Sequence, residues 1–187
     1  AVFTFTGKSD KNWEITIEDD HLVDLILRTN RLGVKNADLF MYISEAGNEV
    51  DLKAEHINQY IRASSGEGFT AKNFRTWAAT YRCAERLAFL AQPQNAKDLK
   101  SWLRKLPEVE SINKLWTGGD WSIPTTQFER NKTMLAVIDT VAADLGNTRP
   151  VCRSSYIHPW FLNAWMERRL LETWNQFAGM RRISGLS

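Results

Sequence analysis

Side chains that could do chemistry are grouped near position 150, where two arginines lead into a tyrosine. Arg149 and Arg153 precede Tyr156 in a short stretch that follows Gly146 and contains Pro150. A phenol beside cationic side chains is a candidate nucleophile, because nearby positive charge favours the phenoxide form. The alternative interpretation of this stretch is a helix stop, a solvated basic turn and a packed tyrosine.

A second basic pair lies in the first turns of a helix that is expected to begin after Thr70. Lys72 and Arg75 are three residues apart, so they share a face of that helix. The N-terminal end of a helix favours a bound phosphate, which makes the pair a candidate phosphate clamp. A lysine and an arginine that simply point to water are the equal alternative.

A third candidate is Lys8, within the turn-rich segment 7–12 between two alternating stretches, residues 2–6 and 13–17. This pattern predicts a β-hairpin with Lys8 at its tip. The lysine could deliver an ammonium group into a groove, or it could be a solvated lysine of an edge strand.

Metal chemistry has little support in the sequence. The two cysteines, Cys83 and Cys152, have no CxxC partner, and the three histidines are scattered at His21, His56 and His158. No zinc pattern results, so neither a metal nor a cofactor is expected. Two isolated cysteines also favour reduced thiols in a cytoplasmic protein.

Composition indicates a globular chain with an anionic partner. The 187 residues are 43% hydrophobic, enough for one domain, or one domain with a small lobe, and no apolar run is long enough to span a bilayer. Residues 69–105 carry 8 Lys/Arg against 2 Asp/Glu, whereas residues 1–68 carry 7 against 12. Positive charge is therefore concentrated where a polyanion could bind.

The elements that must position these residues are predicted to be mainly helical. Helices are expected at 20–32, 53–63, 70–91, 97–106, from Thr125 or Thr126 to 145, and from 158 onward; residues 39–43 are expected to be extended, 45–49 to form a turn, and 107–124 to be irregular. The helix at 70–91 is expected to bury one stripe, made of Phe74, Trp77, Ala78, Tyr81, Ala84, Leu87 and Ala88.

Four segments, residues 5–9, 69–77, 145–148 and 151–159, resemble in this order the catalytic domain of type IB DNA topoisomerases of the compact bacterial and poxviral sort. The resemblance implies the fold shared by tyrosine recombinases and type IB topoisomerases, mainly α with a small β-hairpin. It also implies one catalytic domain over residues 1–178, a helical insertion near 92–127 and a frayed tail at 179–187.

The resemblance further implies a role for each candidate residue. Tyr156 matches the nucleophile that forms a 3′-phosphotyrosyl link, Arg75 the arginine that holds the phosphate oxygens, and Lys8 the general acid that protonates the leaving 5′ oxygen. Asn147 stands where many relatives carry a phosphate-binding histidine; an amide there, as in bacterial members, donates a hydrogen bond but no proton. Further DNA contacts are expected from Lys72, Arg149 and Arg153.

The implied activity is relaxation of supercoiled duplex DNA without ATP or metal, by a protein that is monomeric on DNA, cytoplasmic and nucleoid-associated. The family also uses an arginine upstream of the hairpin and an N-terminal lobe, neither of which this chain matches. The chain is therefore expected to be a fragment with reduced or no activity alone.

Two alternatives remain in view. A tyrosine recombinase shares the fold and the tyrosine chemistry, but recombinases usually have a histidine at the position of Lys72 and tend to have one at the position of Asn147. A non-catalytic DNA-binding fragment would bind DNA electrostatically and form no covalent product.

Overall fold

The computed structural model describes residues 1–7, 10, 12–32, 39–92, 96–116 and 122–183, without the side chains of 30–32, 96–98 and 177–183. The chain forms two compact units, residues 1–69 and 70–187. The elements in chain order are β1 (Val2–Thr6), β2 (Asn12–Thr16), α1 (Asp20–Leu32), β3 (Met41–Ile43), β4 (Glu49–Asp51), α2 (Ala54–Ser65), α3 (Ala71–Leu90), α4 (Ala96–Leu103), α5 (Glu110–Trp116), α6 (Gln127–Asp144), α7 (Arg149–Ser155), α8 (Pro159–Met166) and α9 (Leu170–Ile183).

The described residues of the first unit form two hairpins and two helices. Strands β1 and β2 pair antiparallel from Val2 opposite Thr16 to Thr6 opposite Asn12, which confirms the predicted hairpin. Lys8, expected at its tip, lies outside the described residues. A second antiparallel pair, β3 with β4, encloses the turn that was predicted at 45–49, and its second strand, β4, was not predicted. The reason is that β4 is only three residues long, too short to show an alternating pattern.

The two helices of this unit begin close to where the sequence places them. Asp19 Oδ1 accepts the Leu22 backbone N–H at 2.9 Å, so the predicted acidic cap at the start of α1 is confirmed. Helix α2 begins one residue after the predicted start at 53 and runs two residues beyond the predicted end at 63. Gly66 follows it with φ 105°, a conformation that favours glycine.

The core of the second unit lies where α3 packs against α6, and α7, α8 and α9 close around this pair. Its largest fully buried side chains are mostly apolar, among them Leu87, Val137, Ile138, Val141 and Leu170. Helix α6 starts at the predicted cap: Thr126 Oγ1 accepts the Glu129 backbone N–H at 3.2 Å, and Glu129 Oε2 accepts the Thr126 backbone N–H at 2.9 Å. The two central helices thus form where the apolar periodicity predicts them.

The buried stripe predicted for α3 is wrong over its first two turns. Phe74 is 58% and Trp77 64% exposed, and the first buried residue of the helix is Ala79. Periodicity identifies an apolar face, but it does not say how far along the helix other elements cover that face. The structure also buries Arg86, a charged residue that the predicted stripe left out.

The segments around the long helices are more regular than expected. Among the residues of 92–127 that the structure describes there are two helices, α4 and α5, where one helix followed by an irregular segment was expected. The single last helix is divided into α8 and α9 by residues 167–169, where Arg168 adopts φ 63°. Helix α9 continues to Ile183, so residues 179–183, expected to be frayed, are helical. No described helix is long and apolar enough to cross a membrane.

Candidate active site

Tyr156 stands at the C-terminal end of α7, half-buried at the edge of the core. Its backbone N–H donates to the Cys152 carbonyl at 3.1 Å, which continues the hydrogen bonding of α7 by one residue. The side chain of Cys152 is completely buried in the hydrophobic core, which holds α7 in place. The sequence predicted a tyrosine near the end of a basic turn, and the structure shows that the turn is helical.

The Arg75 guanidinium lies over the ring of this tyrosine. Its Cζ is 5.4 Å from the ring centroid of Tyr156, within the range of a cation–π contact. Arg75 Nη2 also donates to the carbonyl oxygen of Leu145, just after the end of α6. The structure therefore brings together two of the residues singled out in the sequence, although they are far apart along the chain.

Asn147, two residues after Leu145, carries a hydrogen-bond donor that is not used within the described part of the chain. Its Nδ2 is buried and has no hydrogen-bond partner among the described residues. Buried amide groups are normally paired, and one that is not invites a ligand oxygen as the missing acceptor. The Asn147 amide can therefore donate to a ligand oxygen, and its expected hydrogen bond to a phosphate stays a prediction.

The turn that carries Asn147 is fixed by a glycine-dependent helix end. Gly146 has φ 65°, its N–H donates to Ala143 O at 3.1 Å, and the Asn147 N–H donates to Ala142 O at 2.8 Å. This pair of bonds is a Schellman motif, which confirms Gly146 as the predicted helix stop. The same turn presents the Leu145 carbonyl to Arg75.

A buried ion pair fixes the end of α6 against α3. Arg86 Nη2 lies 2.5 Å from Asp144 Oδ2, and Arg86 Nη1 donates to Thr140 Oγ1 at 2.9 Å. Arg82 adds a longer contact to the same carboxylate at 3.3 Å. Our reading of the sequence missed this network, although an arginine in a predominantly apolar helix was a signal, because a buried charge needs a partner.

The other basic residues differ in how freely they could bind an anion. Lys72 and Arg153 are exposed, in the first turn of α3 and the last turn of α7, and no ion pair is recorded for either within the described part of the chain. Arg149 is instead paired with Asp139, its Nε lying 2.5 Å from Oδ1. DNA contact by each of these three residues stays a prediction.

The pairing of Arg149 affects both partners. Burial alone raises the pKa of the Asp139 carboxyl, but hydrogen bonds from Arg149 and Ser111, with the charge of Arg149, outweigh it and lower the pKa. The hydrogen bond to Asp139 in turn raises the pKa of Arg149. Arg149 therefore ties the start of α7 to α6 in this structure.

Two further predictions concern the general acid and metal binding. Lys8 lies outside the described residues, so its role as general acid stays a prediction. Among the described residues no group of three or more His, Cys, Asp or Glu side chains is placed to hold a metal ion.

Comparison with known proteins identifies the family. A family model described as the catalytic core of eukaryotic DNA topoisomerase I matches residues 1–159. A DNA topoisomerase 1B of Acanthamoeba polyphaga mimivirus is 34% identical over a 125-residue alignment, and the match covers 59% of this chain and 37% of the relative. The chain thus spans well under half the length of this curated relative.

A bacterial origin, which was expected from Asn147, is not supported. Asn147 was read as a bacterial feature, whereas the matching family model is described as eukaryotic and the relative is viral. One amide side chain is weak evidence of origin, because Asn and His can both donate a hydrogen bond at this place. The match nevertheless spans most of the chain and includes the positions of both Arg75 and Tyr156, and on this basis the chain belongs to the type IB DNA topoisomerase family.

Proposed function

We propose that this chain carries the strand-cutting centre of a DNA topoisomerase, which nicks one strand of duplex DNA and reseals it. The observation that carries the proposal is the placement of the Arg75 guanidinium over the Tyr156 ring, 5.4 Å from its centroid. A cation beside a phenol suits a reaction in which the phenol oxygen attacks an anionic phosphodiester. Membership of the topoisomerase family supports the same chemistry.

In the proposed reaction the Tyr156 hydroxyl loses its proton to water and its oxygen attacks the phosphorus. The bond from phosphorus to the 5′ oxygen breaks, and that oxygen takes a proton from Lys8. The product is a 3′-phosphotyrosyl link and a free 5′ hydroxyl. The energy of the broken bond is kept in the link, so the reverse attack reseals the strand without ATP after the duplex has rotated.

The phosphate oxygens are assigned to Arg75 and Asn147. Charge develops on these oxygens as the phosphorus is attacked, so fixed donors stabilise the transition state more than the ground state. The unpaired Nδ2 of Asn147 supports its assignment as one donor. Removing one such donor is expected to raise the barrier by about 3–4 kcal/mol.

DNA affinity is assigned to the exposed cations Lys72 and Arg153. Arg149 contributes through the N–H groups of its guanidinium that do not donate to Asp139. Contacts with the DNA backbone release counterions, so binding is expected to weaken steeply with salt. We further propose that the protein is monomeric on DNA, that its parent supplies an N-terminal lobe, and that it acts in the cytoplasm as a nucleoid-associated protein.

The deciding experiment incubates the chain with nicked suicide DNA in EDTA and resolves covalent adducts on a denaturing gel. The matched pair of variants is Tyr156→Phe and Tyr60→Phe, since Tyr60 is 73% exposed on α2 and has no proposed role. We expect adduct from the native chain and from Tyr60→Phe, none from Tyr156→Phe, and the same DNA affinity in all three.

Each other outcome has a defined meaning. Adduct that persists in Tyr156→Phe would refute the assignment of the nucleophile. Salt-sensitive DNA binding without any adduct would favour a non-catalytic fragment, and the assay would then be repeated with the upstream lobe restored. Strand exchange between two duplexes, in place of relaxation of a supercoiled plasmid, would favour the recombinase alternative.

The role of Lys8 has its own test. Lys8→Ala is expected to cleave normal DNA slowly, because general acid catalysis typically contributes about 10²–10⁴-fold. DNA with sulfur at the bridging 5′ position should restore the rate, since a thiolate leaves without a proton. Absence of that rescue would mean that Lys8 only positions the DNA.

A further inference from the structure

The hydroxyl of Thr80, on α3, forms hydrogen bonds with the backbone of Tyr156 and with that of His158, the two residues that flank Ile157. Thr80 Oγ1 donates to the Tyr156 carbonyl oxygen at 3.0 Å and accepts the His158 backbone N–H at 3.0 Å. These are contacts between distant parts of the chain, 76 and 78 residues apart. Nothing in the family match or in the sequence assigns a role to Thr80.

These two hydrogen bonds hold the backbone of residues 156–158 against α3. Between them lies Ile157, which is 4% exposed and belongs to the core. On the other side, the Cys152 carbonyl accepts the N–H groups of Tyr156 at 3.1 Å and Ile157 at 3.2 Å. The peptide that carries the phenol is thus bonded to α7 by its N–H groups and to α3 by its carbonyl.

Thr80 and the proposed phosphate clamp share one rigid element. Arg75 precedes Thr80 by five residues on α3, a rise of about 7.5 Å along the helix axis. Arg75 contacts the ring of Tyr156, and Thr80 contacts its backbone. Helix α3 therefore carries Arg75 and also holds the backbone of Tyr156. The distance between the Arg75 guanidinium and the Tyr156 phenol is thus set by a helix and not by a flexible loop.

We infer that Thr80 is a positioning residue, whose hydroxyl sets the orientation of Tyr156 relative to Arg75 and hence to the bound phosphate. The inference rests on the proposed strand-cutting function. Thr80 contacts neither DNA nor a reacting atom in this scheme; it acts through the backbone of the nucleophile. Loss of the hydroxyl lets the tyrosine move by a fraction of an ångström to an ångström, and such displacements slow reactions that depend on alignment.

The test compares Thr80→Val, which keeps the shape but removes the hydroxyl, with Thr80→Ser, which keeps the hydroxyl. The assay measures adduct formation in a single turnover at saturating DNA, and resealing after a 5′-hydroxyl strand is added. We expect Thr80→Val to slow both steps by about 10–100-fold, because alignment matters equally in each direction. The cleavage equilibrium and the DNA affinity should stay as in the native chain, and Thr80→Ser should restore most of the rate.

A matched control is available in α9. Thr173 is half-buried, and its hydroxyl donates at 3.1 Å to the carbonyl of Arg169, the residue just before α9. Thr173→Val should therefore form adduct at the native rate. This control separates the loss of a threonine hydroxyl in general from the loss of the two contacts at Tyr156.

The outcomes distinguish this inference from the proposed function. No adduct from the native chain, and none after the upstream lobe has been restored, refutes the proposed function, and the inference with it. Adduct from the native chain and an undiminished rate in folded Thr80→Val overturn the inference alone. If Thr80→Val does not fold, Thr80→Ala, which leaves room for a water, takes its place with the same expectation. Rapid hydrogen exchange at the His158 amide of the native chain would overturn the inference without any variant.

Discussion

Replacing Asp144 by alanine should strongly destabilise the second unit. The substitution leaves Arg86 without its carboxylate, and both side chains are largely removed from water, being 10% and 15% exposed. A buried pair that loses one partner typically costs about 3–5 kcal/mol, because a charge remains without compensation. Arg86 keeps its bond to Thr140, so we expect a loss near the lower end, about 3 kcal/mol.

Urea unfolding followed by circular dichroism measures this loss. With a slope of about 2 kcal/mol per molar urea, the midpoint should fall by about 1.5 M. The control is Glu167→Ala, because Glu167 and its partner Arg169 are 57% and 51% exposed, and such a pair contributes about 0–1 kcal/mol. A loss below about 1 kcal/mol for Asp144→Ala would refute the view that this pair is effectively buried.

The double variant Arg86→Met with Asp144→Ala provides a second check. Removing both charges relieves the unpaired guanidinium, so the double variant should be more stable than Asp144→Ala alone. Additive losses from the two single changes would contradict this. The result bears on the site as well, because Asp144 directly precedes the Leu145 carbonyl that Arg75 contacts.

Three further outcomes are expected. Gly146→Ala should lower the free energy of unfolding by about 1–2 kcal/mol because Gly146 has φ 65°, whereas Gly68→Ala, with open space around the new methyl group, should not; equal losses in thermal melts would contradict this. The folded pKa of Asp139 is lowered, so its contribution to stability is complete above the unfolded value of about 3.9 and disappears as the pH falls through the folded value. The stability gap between native chain and Asp139→Asn, from urea unfolding, should therefore be wide at neutral pH and narrow in acid, and a constant gap would count against the pairing. Burial raises the pKa of Cys83 to about 12 and of Cys152 to about 11, so a thiol reagent at neutral pH should label neither until the chain is unfolded, and rapid labelling of the native chain would show that the core is open.

The sequence was sufficient for features that depend on local spacing. The hairpin at β1 and β2, the acidic cap of α1, the threonine cap of α6 and the glycine stop at Gly146 all follow from a few neighbouring residues. Such features are set by backbone dihedrals and by hydrogen bonds that span three or four residues. The order of the four family-like segments was also enough to indicate the family.

Other features could not be deduced because they depend on which elements meet. The exposure of Phe74 and Trp77 and the burial of Arg86 reflect how far α6 covers α3, which helical periodicity does not encode. The break between α8 and α9 requires Arg168 at φ 63°, a conformation that sequence patterns rarely predict for arginine.

At the candidate site, the residue types came from the sequence and their relationship came from the fold. Tyr156, Arg75 and Asn147 were chosen for the chemistry of a phenol, a guanidinium and an amide. Only the tertiary structure places the guanidinium over the ring, leaves the amide unpaired and brings the Thr80 hydroxyl to the tyrosine backbone. The physical reason is that chemical capacity belongs to a side chain, whereas alignment results from the packing of helices that are distant along the chain.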